Sequence, residues 1–144
     1  MKREKIETLI KSAVLNDLEG VEFLLGLDIK TIQESYNGIG PAFFAEELRE
    51  AVTKHFDTFE PAAVIHDLRN EFSDGTEKSF HEANREFLAN CLKLVDAKYP
   101  WWRPRRYVAR QVAYEFFRFV DGAPGWRAWL EAQRNHAAKM ASGN

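Results

Sequence analysis

At 144 residues, with 45% hydrophobic and 29% charged side chains, the chain fits one domain with a sizeable core. A net charge of -2 excludes a global pull toward nucleic acid or membrane, so any such affinity has to come from a local patch. The single Cys91 excludes an internal disulfide and suits a reducing compartment. No signal-peptide apolar region and no bilayer-length apolar run are present, so the expected location is cytoplasmic. Release by lysis or within a phage particle would leave no mark in such a composition.

Residues 3–18 place Ile6, Leu9, Ile10, Ala13, Val14 and Leu18 at three-and-four spacing, which predicts an amphipathic helix. Gly20 interrupts it, and 21–26 is an apolar turn expected to pack on that helix. Asp28 is placed to cap a short helix over 29–34. Tyr36-Asn-Gly-Ile-Gly-Pro41 is the densest cluster of helix breakers in the chain. Its alternating glycines open backbone conformations closed to other residues, so that carbonyls can turn toward a common centre. It also reads as a plain interhelical loop. Over 42–56, Phe43, Phe44, Leu48, Val52 and Phe56 fall on one side of an amphipathic helix. The 57–61 stretch should break it, with Pro61 at the start of the next helix.

That next helix, 61–72, carries the adjacent pair His66 and Asp67. Its apolar residues Ala62, Val64, Ile65, Leu68 and Phe72 cover more than one face, which predicts burial. Successive helical side chains point about 100° apart, so the pair should face two different clients. From the residues alone, His66 is either a hydrogen-bonded core histidine or a functional one. After a turn at 73–76, Thr76 or Ser79 can cap a long helix over 77–98 with Phe80, Ala83, Phe87, Leu88, Cys91, Leu92 and Val95 inward. Asn84 lies on nearly the same side, and a polar amide there needs a buried partner. The short turn makes the two helices antiparallel neighbours, so Asn84 is a candidate to meet His66. A joint at 100–106 leads to two last helices, 105–120 and 126–139, separated by 121–125, and a frayed tail. With no alternating strand pattern, the expected fold is an all-α, single-domain helical bundle. It divides into N-terminal helices (1–35), a central core (36–99) and a C-terminal helical pair (100–144).

Three of these pieces together resemble the phospholipase A2 superfamily. Tyr36-Asn-Gly-Ile-Gly40 resembles its calcium loop, Pro61-Ala-Ala-Val-Ile-His-Asp67 its active-site helix, and Ala83-Asn-Arg-Glu-Phe87 the start of its second antiparallel helix. They occur in the family's order and span roughly 36–95. The resemblance implies a calcium-dependent lipid esterase built on an antiparallel helix pair. His66 would be the general base that draws a proton from water, a task suited to imidazole. Asp67 would hold Ca²⁺ together with backbone carbonyls of Tyr36, Gly38 and Gly40, since calcium prefers six or more oxygen ligands. Asn84 would orient the histidine.

The chain departs from the family pattern in ways that bear on activity. Asn84 stands where the family has an aspartate, and an amide stabilises an imidazolium less than a carboxylate does. In the serine-protease triad the equivalent change lowers turnover about 10⁴-fold. Asn70 replaces a family tyrosine, the family disulfides are absent, and the gap between glycine loop and His66 is longer. A second reading is therefore a catalytically inactive module of phage or prophage origin that binds a protein or membrane.

Trp101 and Trp102 with Arg103, Arg105, Arg106 and Arg110 form the one concentrated basic-aromatic patch in the sequence. It suits an anionic phospholipid interface or, against the net charge, nucleic acid. The alternative is a helix start with both tryptophans packed into the core and the arginines paired with acidic faces. Tyr107, Val108, Val112, Phe116, Phe119 and Val120 read as core, with Trp126, Trp129 and Leu130 beside them. His55, His81 and His136 have no second ligand at zinc spacing, and Cys91 reads as inert.

Overall fold

The computed structural model of the chain describes residues 1–36 and 46–142, and all the regular structure among them is helical. In chain order the helices are α1 (Arg3–Leu15), α2 (Val21–Leu25), α3 (Ile29–Ser35), α4 (Glu46–Glu71), α5 (Glu77–Lys98), α6 (Pro104–Asp121) and α7 (Ala123–Ser142). The second half of α4 is the centre of the bundle. Phe59, Ala62, Ala63, Val64, Ile65 and Leu68 are buried on several faces, against α1 and α3 on one side and α5 and α6 on the other. Ile6, Leu9, Ile32, Phe87, Cys91, Val95, Ala113 and Phe116 complete the same cluster, so side chains from α1 to α6 share one core.

The first helix ends three residues before its apolar pattern does. Asp17 takes a left-handed backbone (φ 49°), its N–H donates to Val14 O at 3.1 Å, and Leu18 N–H donates to Ala13 O at 3.1 Å. This pairing ends a helix by satisfying its last carbonyls, and it turns Leu18 back into the core. Residues 21–25, expected as a turn, form the single helical turn α2. Asp28 caps α3 by accepting from Thr31 N–H at 2.7 Å.

The expected break at 57–61 does not occur. α4 runs through Pro61 without interruption. Proline removes one helical hydrogen bond and crowds the carbonyl four residues back. That local cost is offset because Thr58, Phe59 and Glu60 before it and five apolar residues after it are all buried on continuous faces. The expected start of this helix at 42–45 lies outside the described residues. Phe72, expected inward, is 42% exposed.

Thr76 caps α5 by accepting from Ser79 N–H at 3.1 Å, and the helix spans 77–98. α4 and α5 are antiparallel: Thr58 meets Lys98 (2.9 Å) at one end and His66 meets Asn84 nearer the turn. Asn90, on the buried face of α5, holds the turn after α1 by accepting from Glu19 N–H (2.7 Å) and donating to Glu19 O (2.8 Å). Cys91, beside it, is fully buried, and burial pushes its thiol well above the usual range.

Only Gly122 separates α6 from α7, so most of the expected 121–125 linker is helical. Pro124 fits because a helix's first turn has no use for its missing N–H. Gly125 fits because the two helices meet there with no room for a side chain: a Cβ would sit 1.7 Å from Val120 O. Trp129 and Trp126 then pack at a tilt against Phe80 of α5, at 5.7 and 5.1 Å between ring centroids. Residues 141 and 142, expected to fray, continue α7, and 143–144 lie outside the described residues. No helix among the described residues is long and apolar enough to cross a membrane.

Candidate functional site

His66 enters the site from the buried centre of α4 and is 4% exposed. Its Nε2 lies 2.7 Å from Asn84 Oδ1 across the antiparallel pair, so the structure brings these two residues together. Phe87, one turn along α5 from Asn84, packs against the imidazole with ring centroids 4.9 Å apart. The other ring nitrogen, Nδ1, is buried and has no hydrogen-bond partner.

Asp67 stands about 100° round α4 from His66, yet its carboxylate does not turn away from the imidazole altogether. Its Oδ1 comes to 3.8 Å from His66 Nδ1, too long for a hydrogen bond and close enough to feel its charge. Burial pushes the Asp67 carboxyl above the usual range, and the neighbouring imidazole only partly offsets this. Tyr36, at the C-terminal end of α3, is 2% exposed with an unpartnered hydroxyl. Burial first, then the negative charges of Glu60 and Asp67, push that hydroxyl's pKa far up. Glu60 and Asp67 stand two turns apart on α4, and Glu60 is buried with Lys5 Nζ 3.2 Å away. Tyr36, Asp67 and His66 Nδ1 therefore gather on one side of α4. Gly38 and Gly40 lie outside the described residues. Among the described residues no group of three or more His, Cys, Asp or Glu side chains could hold a metal ion.

Asn84 has a second set of contacts absent from the sequence reading. Its Nδ2 donates to Asp121 Oδ1 at 2.9 Å and reaches Val120 O at 3.4 Å, both at the end of α6. Asp121 Oδ1 is also 2.6 Å from His81 Nδ1, and His81 Nε2 lies 3.5 Å from Glu77. The hydrogen bond to Asp121 raises the His81 pKa above its ordinary value, with Glu77 adding to this. A chain of polar groups thus runs from the buried imidazole to the surface. Nothing local in the sequence marks Asp121 as part of it, because the contact depends on how α6 packs on α5.

The basic-aromatic patch differs from a packed helix start. Trp101 is 73% and Trp102 59% exposed, and Arg103 lies over the Trp102 ring at 5.0 Å. Tyr107 and Val108, expected in the core, are exposed beside them, because α6 buries Ala109, Val112, Ala113, Phe116 and Val120 instead. Arg106 and Arg110 are drawn to Asp96 of α5, at 3.1 and 2.8 Å. Arg103 and Arg105 make no ion pair among the described residues. His136 lies 3.3 Å from Glu71 and against Phe72.

No family model, no curated protein and no solved structure matches the chain.

Proposed function

We propose that the chain is a calcium-dependent ester hydrolase of the phospholipase A2 type, acting on phospholipids, with His66 as general base. The observation that carries this reading is the state of one imidazole. One nitrogen is held by Asn84 at 2.7 Å while the other is buried and unpartnered. A general base needs one nitrogen steadied and the other free of a protein partner, so that a water admitted with the substrate can donate to it. Asn84 and the Phe87 ring limit rotation of His66, so Nδ1 keeps a fixed direction as it takes up a proton. The amide oxygen of Asn84 then faces the imidazolium. It stabilises the charge less than a carboxylate would, so slow turnover is expected.

Asp67 supplies a hard oxygen donor, a largely buried carboxylate beside the His66 ring. That donor chemistry fits Ca²⁺, and the backbone carbonyls of Tyr36, Gly38 and Gly40 would complete the set. When bound, the ion would stabilise negative charge developing on the ester oxygen. The exposed Trp101, Trp102, Arg103 and Arg105 would seat the molecule on an anionic phospholipid surface, the rings at the headgroup level and the guanidinium groups on phosphates.

The test is hydrolysis of phospholipid vesicles with and without calcium, alongside calorimetric titration of Ca²⁺. Replacing His66 with Ala should lower the rate at least about 100-fold, and Asp67→Asn should abolish the binding heat. Absence of both calcium binding at millimolar metal and ester cleavage would sink the hydrolase. The exposure of Trp101 and Trp102 would then favour the second reading, a catalytically inactive helical module that uses the same surface to bind a protein or a membrane.

A further inference from the structure

The base proposed above needs its ring proton on a particular nitrogen, and Asn84 alone does not decide which. A side-chain amide has a donor end and an acceptor end, and rotating it by half a turn exchanges them. With its oxygen toward His66, the amide accepts from Nε2–H, and Nδ1 carries the lone pair. With its nitrogen toward His66, it donates to Nε2, and the proton moves to Nδ1, which can then no longer accept one.

The groups behind Asn84 settle the orientation. Its far end meets Asp121 Oδ1 at 2.9 Å and Val120 O at 3.4 Å. Both are acceptor oxygens, and only the amide NH₂ can donate to them. A reversed amide would set its own oxygen against a carboxylate in a site where Asn84 is 1% exposed, which costs the lost hydrogen bond as well as the repulsion. His81 Nδ1, 2.6 Å from the same Asp121 oxygen, holds the carboxylate in place from its other side. That contact keeps Asp121 from swinging toward solvent.

We propose that Asp121 is the positioning residue of this centre: acting through the Asn84 amide, it fixes His66 as the Nε2–H tautomer and leaves Nδ1 as the basic lone pair. The carboxylate missing beside the histidine is thus supplied one side chain further away, from α6. The catalytic consequence rests on the hydrolase reading, whereas the tautomer is a property of the folded chain alone.

The experiment is therefore read without substrate, on the full chain labelled with ¹⁵N in its four histidine rings. Long-range ¹H–¹⁵N spectra above neutral pH distinguish the two neutral tautomers, and a His66→Gln spectrum assigns the signals. Wild type should show His66 as Nε2–H. Asp121→Ala should bring up the Nδ1–H pattern at His66, while Asp121→Asn, which keeps an acceptor oxygen at that position, should retain the wild-type pattern. An Nδ1–H tautomer in wild type overturns the proposal even if Asp121→Ala does not fold. So does an unchanged His66 pattern in a folded Asp121→Ala. Vesicle hydrolysis decides the enzyme reading separately, so neither result can be mistaken for the other.

Discussion

Replacing Asn84 with Asp restores the carboxylate that the phospholipase A2 resemblance calls for, and the structure says it will cost stability. The new oxygen would stand where the amide nitrogen now lies, 2.9 Å from Asp121 Oδ1. Two full charges at that separation repel by about 6 kcal/mol at an effective dielectric of about 20. The alternative is for the pair to take up one proton. For a carboxyl that titrates near 4 when unfolded, holding a proton at pH 7 costs about 4 kcal/mol. The smaller cost wins, so the variant folds with a proton shared between the two side chains. Its stability deficit should nearly vanish at pH 4 and grow by about 1.4 kcal/mol per pH unit, up to about 4 kcal/mol at pH 7. Urea unfolding of wild type and Asn84→Asp between pH 4 and 7.5 measures this. The double variant Asn84→Asp, Asp121→Asn exchanges amide and carboxylate, and should recover most of the loss with little pH dependence. A deficit of the same size at pH 4.5 and 7, or no recovery in the double variant, would refute the contact.

Three further predictions concern separate parts of the molecule. Because burial holds the Asp67 carboxyl above its ordinary range, its ionised form weighs against folding above the unfolded pKa. Asp67→Asn in chelator should therefore melt higher than wild type at neutral pH, with the gap narrowing as pH falls through the raised folded pKa and closed once it is below about 4. Gly125→Ala places a Cβ against the backbone of Val120, which cannot yield, and thermal melts should show a loss of about 2–4 kcal/mol. Gly75→Ala is its control: the φ of +82° is unfavourable for alanine but a Cβ there touches nothing, so the loss should stay near 1–2 kcal/mol. Finally, Trp101→Ala with Trp102→Ala should abolish cosedimentation with anionic vesicles while changing urea stability by less than about 0.5 kcal/mol, given how exposed both rings are.

The parts of the fold written locally in the sequence are those that reasoning from sequence finds. α5 starts and ends where its cap and apolar stripe place it, because Thr76, the inward stripe and Lys98 act within one helix. The approach of His66 to Asn84 follows from two helices and a short turn. What stays hidden depends on distant packing. Pro61 looks like a boundary until the continuous burial of α4 is seen to outweigh one missing hydrogen bond. Tyr107 and Val108 look like core until α6 buries Ala109, Val112, Ala113, Phe116 and Val120 and leaves both outward beside Trp101 and Trp102. Asp121 lies 37 residues from the amide it holds, and no spacing rule reaches that far.

Cys91 gives the molecule a built-in reporter of its own opening. With the lone thiol sealed at the middle of α5 and its ionisation suppressed by burial, a disulfide-exchange reagent can reach it only when the bundle parts there. The labelling rate, followed under native conditions, then times the rare excursions that loosen the helix carrying Asn84, without any added probe.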